Sequence, residues 1–316
     1  MQSMCPKIKK IYVAFPKNTR TYEEDMPHLD AKKLKIAKEN IGVNKRYITD
    51  ESTYASDLCI AALKEALKGD EDIEAMIVVS NTPDYLVPRT SSIISNKLNL
   101  NPDILLIDVI SYCSGFVTAF FQASLLLEHY KKVAIVCPDI QGKKVDQTDK
   151  ATLSIASDSV SVTILEPSNK IMHFAEQTWT ENTIQMTSLY GIMKNADTTF
   201  VTNHNLIFKE YFKYFIPFFI KFQSDTPKTE LNIFHIPSSF FKKCVERECK
   251  IKIFHKSLAD FACAFINDIP LNLILANSEG YFNTKKRAII SSHGIGMTIN
   301  AANISIEGFE GKIIFI

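Results

Sequence analysis

The 316-residue sequence has no excess of charge, no long apolar run and no metal-ligand spacing, and each absence excludes a class of function. The 36 basic residues are balanced by 35 acidic ones, so overall charge does not draw the protein to nucleic acid or an anionic membrane. Because no stretch of about 20 residues is uncharged and apolar, no membrane span is predicted. The start "MQSMCPKIKKIYVAF" lacks the pattern of a signal peptide. Together these features predict a cytoplasmic protein.

The arrangement of the cysteines and the scarcity of glycine are both informative. The seven cysteines form neither a CxxC pair nor a zinc-binding cluster with histidine. Their scattered positions and odd number predict free thiols in a reducing compartment and no metal site. Glycine is scarce, at 10 of 316 residues, so few positions allow close backbone approach. The 46% hydrophobic content is enough for a large core, in one domain or in two halves.

Apolar runs rich in β-branched residues alternate with helical patterns, which predicts an α/β fold with buried sheets. Strands are predicted at 73–81, 104–110, 132–139, 160–166, 230–237, 287–294, 297–306 and 312–316, and helices at 89–100, behind Cys113 and at 238–249. Three pairs of segments resemble each other: "AMIVVSN" and "LNIFHIP", "VAIVCPD" and "AIISSHG", and "VSVTILE" and "MTINAANI". This weak duplication predicts two halves, 1–168 and 169–316.

Cys113 lies where an apolar strand meets a long helix, in "DVISYCSGFVTAFFQAS" (108–124). A cysteine in a core usually acts as a small hydrophobic residue. At a helix start, however, unpaired N–H groups and the helix dipole stabilise a thiolate and make it nucleophilic. Ser114 and Gly115 permit a tight turn there. The residues alone leave both interpretations open.

A nucleophilic thiol needs a base, and His235 is the best candidate among seven histidines. It ends the predicted strand "ELNIFH", and a Pro-Ser-Ser helix start follows it. Alone, a histidine in this place is more often an ordinary core or surface residue.

These segments resemble the β-ketoacyl-ACP synthase III enzymes, a thiolase-fold family whose nucleophile lies in a Cys-x-Gly-Phe segment after a strand. The likeness includes "NIGVNKRYITDESTYASDLCIAALKEAL" (40–67), continues over 80–124 and 137–165, and returns at "FHIPSSF" (234–240), where the family has His-Gln-Ala-Asn. It implies an α/β fold of the thiolase-like duplicated αβαβα five-layer type. It also implies that Cys113, in the first half, is acylated, that His235, in the second half, assists it, and that the protein is a dimer.

The third catalytic residue of the family, an asparagine, does not carry over. Counting back from Ile269 and Pro270 places Cys263 at its position. In the family the histidine and asparagine hold the malonyl thioester carbonyl while carbon dioxide leaves, and a thiol is a weak donor. We therefore expect acyl transfer without decarboxylation, with Cys263 as a buried filler rather than a second catalytic thiol. The family's oxyanion site implies backbone donors at Cys113 and near Gly296 and Met297.

The resemblance implies a substrate pocket at Val87, Phe116, Asn205 and Phe208. Many members carry a larger aromatic residue where this chain has Val87, so room for a medium or aromatic acyl group is expected. The residues implied to bind the thioester carrier are basic: Lys150, Lys209, Lys242, Lys243 and Arg247. They suit coenzyme A or an acidic acyl carrier protein. The alternative, a solvated basic helix face, is equally compatible with the sequence.

The segment 208–222 has eight aromatic residues interrupted by lysines. It suits a helix at a membrane surface, but a hydrophobic cover or a subunit contact is the preferred interpretation. Pro217 is expected to kink or end a helix there.

The sequence thus predicts an acyltransferase of the synthase III type in a specialised lipid or natural-product pathway. An acyl-CoA or acyl-carrier-protein thioester is the expected donor, with no bound cofactor and no nucleic acid or metal partner. The alternatives are a non-catalytic subunit that pairs with a homologous enzyme in a heterodimer, and an ordinary decarboxylating synthase III of fatty-acid initiation.

Overall fold

The structure, a computed structural model, describes residues 1–69, 72–187, 199–229, 231–284 and 286–316. The strands are β1 Gln2–Met4, β2 Lys7–Phe15, β3 Thr19–Thr21, β4 Lys45–Tyr47, β5 Ala75–Val79, β6 Leu105–Val109, β7 Val133–Asp139, β8 Ser159–Glu166, β9 Ile171–Thr178, β10 Asn232–Phe234, β11 Arg287–Gly294, β12 Thr298–Ser305 and β13 Glu310–Phe315. The helices are α1 Tyr22–Asp25, α2 Ala31–Ile41, α3 Ala55–Ala66, α4 Thr90–Leu98, α5 Gly115–Leu126, α6 Lys150–Leu153, α7 His204–Ser224, α8 Ser239–Cys249, α9 Leu258–Phe261, α10 Asp268–Ser278 and α11 Tyr281–Thr284.

Two mixed sheets carry the fold. The N-terminal sheet has the order β13-β2-β8-β7-β5-β6, and the C-terminal sheet has the order β1-β9-β12-β11-β10. Strands β5, β6 and β7 run parallel, as do β10 and β11. Strand β5 is buried along its whole length, as expected for an apolar strand covered on both faces.

The helices and sheets form five layers. Helices α5 and α10 lie between the two sheets, in the largest hydrophobic cluster. Helix α3 covers the other face of the N-terminal sheet, and α7 covers the other face of the C-terminal sheet. The predicted αβαβα arrangement is therefore confirmed.

The internal duplication is visible in the strand order. Strands β2-β8-β7-β5 occur in one sheet in the same order as β9-β12-β11-β10 in the other. The three segment pairs found in the sequence correspond to β5 and β10, β7 and β11, and β8 and β12. The terminal strands are exchanged, because β1 pairs with β9 and β13 pairs with β2. The division into 1–168 and 169–316 stays a prediction, and these two strands cross it.

Helix α7 departs from what Pro217 predicted, because it continues through that residue as one helix. Six of its aromatic side chains are buried: Tyr211, Tyr214, Phe215, Phe218, Phe219 and Phe222. They pack with residues of the C-terminal sheet in one hydrophobic cluster. This packing outweighs the one hydrogen bond that a proline cannot donate. Among the described residues, no helix has the length and apolar character needed to cross a membrane.

Candidate active site

Cys113 lies in the turn between the carboxyl end of β6 and the start of α5. Ser114 is the residue that precedes the helix, and the N–H of Gly115 donates to the carbonyl of Tyr112 over 2.8 Å. Glycine is required at 115, because a Cβ atom there would lie 2.6 Å from Val79 Cγ1. Cys113 is partly exposed. Its sulfur is thus placed at a helix N-terminus, where a thiolate is stabilised.

His235 reaches the same place from the other half of the molecule. It follows β10 directly, and its N–H donates to the carbonyl of Ser291 on β11 over 2.9 Å. The next helix, α8, is capped by Ser238, whose hydroxyl accepts from the N–H of Phe241. The His235 side chain is 4% exposed and lies beside the Cys113 thiol. The structure therefore brings the two predicted residues together at the carboxyl ends of parallel strands.

Asp268, the first residue of α10, completes the group. Its Oδ2 accepts from His235 Nδ1 over 2.7 Å, and its Oδ1 accepts from the N–H of Ala264 over 2.8 Å. Because a carboxylate can only accept, Nδ1 of His235 carries a hydrogen and Nε2 is the nitrogen left for Cys113. Cys113, His235 and Asp268 thus have the arrangement of a nucleophile, a base and an orienting acid.

The charges of this group favour a protonated histidine. Burial opposes the charge, but the Cys113 sulfur and the Asp268 carboxylate outweigh it and raise the pKa of His235 to about 10. Burial also opposes the charge of Asp268, yet hydrogen bonding to His235 holds the pKa of Asp268 well below its usual range.

Cys263 lies behind His235 and is completely buried. Its Sγ is 3.8 Å from Asp268 Oδ2, so its thiol points at the carboxylate. Burial, with the nearby Asp268 and Cys113, raises the pKa of Cys263 well above its ordinary value. A neutral buried thiol is consistent with a filler, although its role stays a prediction.

His235, Cys263 and Asp268 are also the described side chains that could together hold a metal ion, with their ligand atoms within 4.8 Å of one another. Coordination by both His235 Nδ1 and Asp268 Oδ2 would break the 2.7 Å hydrogen bond between them. In the structure these two atoms are hydrogen-bonded to each other instead.

The late loop approaches the nucleophile at Gly294 rather than at the predicted Gly296 and Met297. A Cβ at Gly294 would lie 3.0 Å from Ser114 Oγ and 3.4 Å from Ser114 N. The N–H of Met297 already donates to the carbonyl of Trp179 over 2.7 Å, so it is not free to bind an oxyanion. An oxyanion donor at Met297 would have to give up this hydrogen bond, and the roles of Gly296 and Met297 stay predictions.

A second histidine, His293, lines the site and was missed in the sequence. Its ring centroid is 4.9 Å from that of His235 and 4.4 Å from that of Tyr211, and it stacks on Phe241. Burial and the neighbouring His235 hold the pKa of His293 well below its usual range. It therefore provides a neutral polar group in an aromatic wall. In the sequence, nothing in "SSHG" except its glycine indicated a functional site.

The predicted pocket residues do not lie together in the isolated chain. Phe116 is buried in the central layer, whereas Val87 is 86% exposed. Asn205 and Phe208 are exposed at the start of α7, where Phe208 stacks on Phe240. The pocket roles of these residues stay predictions. Val87 could line the pocket only if a partner subunit covered it.

The predicted carrier-binding residues lie on three helices. Lys150 is exposed on α6, Lys209 is exposed on α7, and the remaining three lie on α8: Lys242, Lys243 and Arg247. Arg247 pairs with Glu248 over 2.7 Å, so part of the positive charge is neutralised. Burial lowers the pKa of Lys242. The structure leaves both interpretations, carrier site and solvated face, open.

Comparison with known proteins identifies the fold and the family resemblance. A family model described as 3-Oxoacyl-[acyl-carrier-protein (ACP)] synthase III matches residues 107–180, which include Cys113. The resemblance to synthase III is confirmed. The structure of a 3-oxoacyl-(acyl-carrier protein) synthase from Burkholderia xenovorans superposes with a TM-score of 0.91 at 19% identity, over 100% of this chain and 98% of that one. The fold is therefore the thiolase fold.

Two curated relatives show how far the sequence similarity extends. A putative 3-oxoacyl-[acyl-carrier-protein] synthase 3 from Campylobacter jejuni is 32% identical over 51% of this chain and 48% of its own length. A β-ketoacyl-[acyl-carrier-protein] synthase III 2 from Bacillus anthracis is 26% identical over 82% of this chain and 86% of its own length. The match thus spans about half of the first relative and most of the second.

Proposed function

We propose that this protein is an acyltransferase of the synthase III type that transfers an acyl group through Cys113 without decarboxylation. The observation that carries the proposal is the buried 2.7 Å hydrogen bond from His235 Nδ1 to Asp268 Oδ2. It fixes Nε2 of His235 as the nitrogen that exchanges a proton with Cys113 and the substrates. The family resemblance supports an acyl-CoA or acyl-carrier-protein thioester as donor.

In the first half-reaction the Cys113 thiolate attacks the thioester carbonyl. The negative charge on the carbonyl oxygen would be held by the N–H of Cys113 and by a late-loop N–H, from Ile295 or Gly296. When the carbon–sulfur bond of the donor breaks, the leaving thiolate takes the proton from Nε2 of His235. The products are acylated Cys113, a free thiol and a neutral His235 still bonded to Asp268.

In the second half-reaction neutral His235 acts as a general base. Its Nε2 takes a proton from the acceptor as the acceptor attacks the acyl carbonyl. The bond to Cys113 then breaks, and the sulfur leaves as a thiolate beside the new imidazolium. The acceptor is an alcohol, an amine or an acidic carbon, and His293 is placed to hydrogen-bond it.

The same geometry disfavours decarboxylative condensation. That reaction needs hydrogen-bond donors to the malonyl thioester carbonyl as carbon dioxide leaves. A neutral His235 whose Nδ1–H is held by Asp268 has only a lone pair at Nε2, and the thiol of Cys263 points at Asp268. Losing such a donor typically costs on the order of 10²-fold in rate. A role in a specialised lipid or natural-product pathway follows from this loss.

The proposal includes a dimer formed along β6. This strand pairs with β5 on one side and with no described strand on the other. Apolar side chains around it are exposed, including Tyr85 at 63%, Val87 at 86% and Ile110 at 78%. An unpaired apolar edge suits pairing with a second copy or with a homologous subunit. The seven free cysteines fit a cytoplasmic location, which stays part of the proposal.

Intact-protein mass spectrometry tests this function directly. Wild-type protein is incubated with acyl-CoA and, separately, with acyl-carrier-protein donors, and the expected result is one acyl adduct. Cys113→Ala should abolish the adduct, whereas Cys244→Ala, which alters a thiol on α8, should retain it. Absence of a Cys113-dependent adduct with both donor classes would reject the enzyme and favour the non-catalytic subunit.

A further inference from the structure

His255 lies beside the acid of the proposed triad, next to the same carboxylate oxygen that His235 contacts. It belongs to the segment after α8 that runs beside β10, where the N–H of Phe254 donates to the carbonyl of Asn232 over 2.8 Å. The His255 side chain is 1% exposed, and its Nε2 is 3.7 Å from Asp268 Oδ2. Neither ring nitrogen has a hydrogen-bond partner within the described residues. Buried polar groups without partners are rare and call for an explanation.

We propose that His255 is a positioning residue whose Nε2–H closes on Asp268 when His235 loses its positive charge. This inference rests on the function proposed above. The 3.7 Å separation is longer than a hydrogen bond, and a shift of about 0.8 Å would bring it into range. Oδ2 also accepts from His235 Nδ1 and, over 3.3 Å, from the N–H of Ile236.

The need for such a donor arises at the acyl-enzyme stage. In the resting protein the Asp268 carboxylate faces the His235 imidazolium, so the buried negative charge is paired. Once the leaving thiol has taken the proton, His235 is neutral, and Asp268 stays buried without a positive partner. An unpaired buried charge is costly. A hydrogen bond from His255 would stabilise it and leave His235 neutral, which is the form that acts as base.

Other titratable groups also face the His235–Asp268 pair, and the effect of His255 must be distinguished from theirs. Cys113 and Asp139 approach from the N-terminal half, and Cys263 and His293 approach from the C-terminal half. Among these groups, Cys263 also points at the carboxylate, but its neutral thiol is a weak donor. His255 is therefore the residue to vary.

The test compares His255→Leu, which has no donor, with His255→Gln, which keeps an N–H. The acyl-enzyme is prepared with each protein, and the single-turnover rate of acyl loss to an alcohol or amine acceptor is measured against pH. When the His255 donor is missing, the Asp268 carboxylate is more basic. It then keeps His235 protonated up to a higher pH. We expect His255→Leu to move the acid limb of acyl loss upward by about one pH unit, with the rate at neutral pH reduced about tenfold. Formation of the acyl-enzyme should change less than about twofold, and His255→Gln should restore the limb.

Each of the following results would overturn the inference. If acylation and acyl loss fall equally in His255→Leu while the limb stays in place, the residue is only structural. If the leucine variant does not fold, nitrogen-15 histidine NMR of wild-type protein replaces it, and a His255 Nε2 resonance that does not move when Cys113 is acylated overturns the inference. If wild-type protein forms no adduct, the proposed function fails and this inference fails with it. If the adduct forms but the acid limb does not move in His255→Leu, only the role proposed for His255 is rejected.

Discussion

His235 donates its Nδ1–H to Asp268 Oδ2 over 2.7 Å, although 33 residues separate them along the chain. Both side chains are buried, at 4% and 0% exposure. The hydrogen bond joins the end of β10 to the first turn of α10 and faces the helix start that carries Cys113. It determines the protonation of the site, and the predictions about catalysis depend on it.

Replacing Asp268 by asparagine should impair acyl loss more than it impairs folding. The amide removes the negative charge that helps raise the pKa of His235 to about 10, and it no longer enforces one tautomer. We expect the single-turnover rate of acyl loss to fall on the order of 10⁴-fold, as for the orienting acid of a serine-protease triad. Asp260→Asn, at an exposed site on α9, is the control. A rate for Asp268→Asn within threefold of wild type would show that the acid has no orienting role.

The sequence identified the candidate nucleophile and the candidate base because both are marked by local patterns. Cys113 and His235 each follow a strand and precede a helix start, and the duplication matched the strand before His235, β10, to β5. Asp268 was not found, because nothing in "INDIP" indicates a contact with a residue 33 positions away. His255 and His293 were missed for the same reason: only the folded chain places them beside His235 and Asp268.

Two features of the fold also depend on contacts that no local pattern specifies. Strands β1 and β13 are short, with three and six residues, and their partners lie in the opposite half of the chain. Pro217 predicted a break that the aromatic packing of α7 overrides. In both cases tertiary packing, rather than local propensity, decides the structure.

Asp139 should make stability depend on pH. It is completely buried on β7, and burial raises its pKa from 3.8 to about 7. The folded protein therefore holds this proton more tightly than the unfolded chain, and the stability it contributes is full below about pH 4 and lost as pH rises to about 7. The loss is at most about 4 kcal/mol.

Asp139→Asn should remove this contribution. We expect the free energy of unfolding of the variant, measured by denaturant titration between pH 4 and 8, to fall less steeply with pH than that of wild type. Asp103→Asn, at an exposed position, serves as the matched control. Identical slopes for Asp139→Asn and wild type would contradict the predicted protonation.

A charge beside the β6 edge should prevent subunit pairing. Ile110 directly follows this strand and is 78% exposed in the single chain. Because burying an unpaired charge is costly, Ile110→Lys should convert a dimer into a monomer. Light scattering after size exclusion measures the change, and Ile184→Lys, at a residue 64% exposed elsewhere, is the control. A dimer that persists in Ile110→Lys would place the interface on another surface.

Decarboxylation should return only when both the donor and the tautomer are changed. Cys263→Asn supplies an amide, but Asp268 would still hold Nδ1–H of His235 and leave Nε2 without a hydrogen in the neutral form. Adding Asp268→Ser removes the carboxylate, so the Nε2–H tautomer can form and donate to a thioester carbonyl. We expect labelled carbon dioxide release from malonyl-carrier protein to stay near background in the single variant and to rise on the order of 10²-fold in the double variant. Cys263→Ala with Asp268→Ser should stay near background, because it frees the tautomer without supplying the amide. Rapid release by wild type would mean that the protein is an ordinary decarboxylating synthase. Rapid release by Cys263→Asn alone would mean that Asp268 does not suppress condensation.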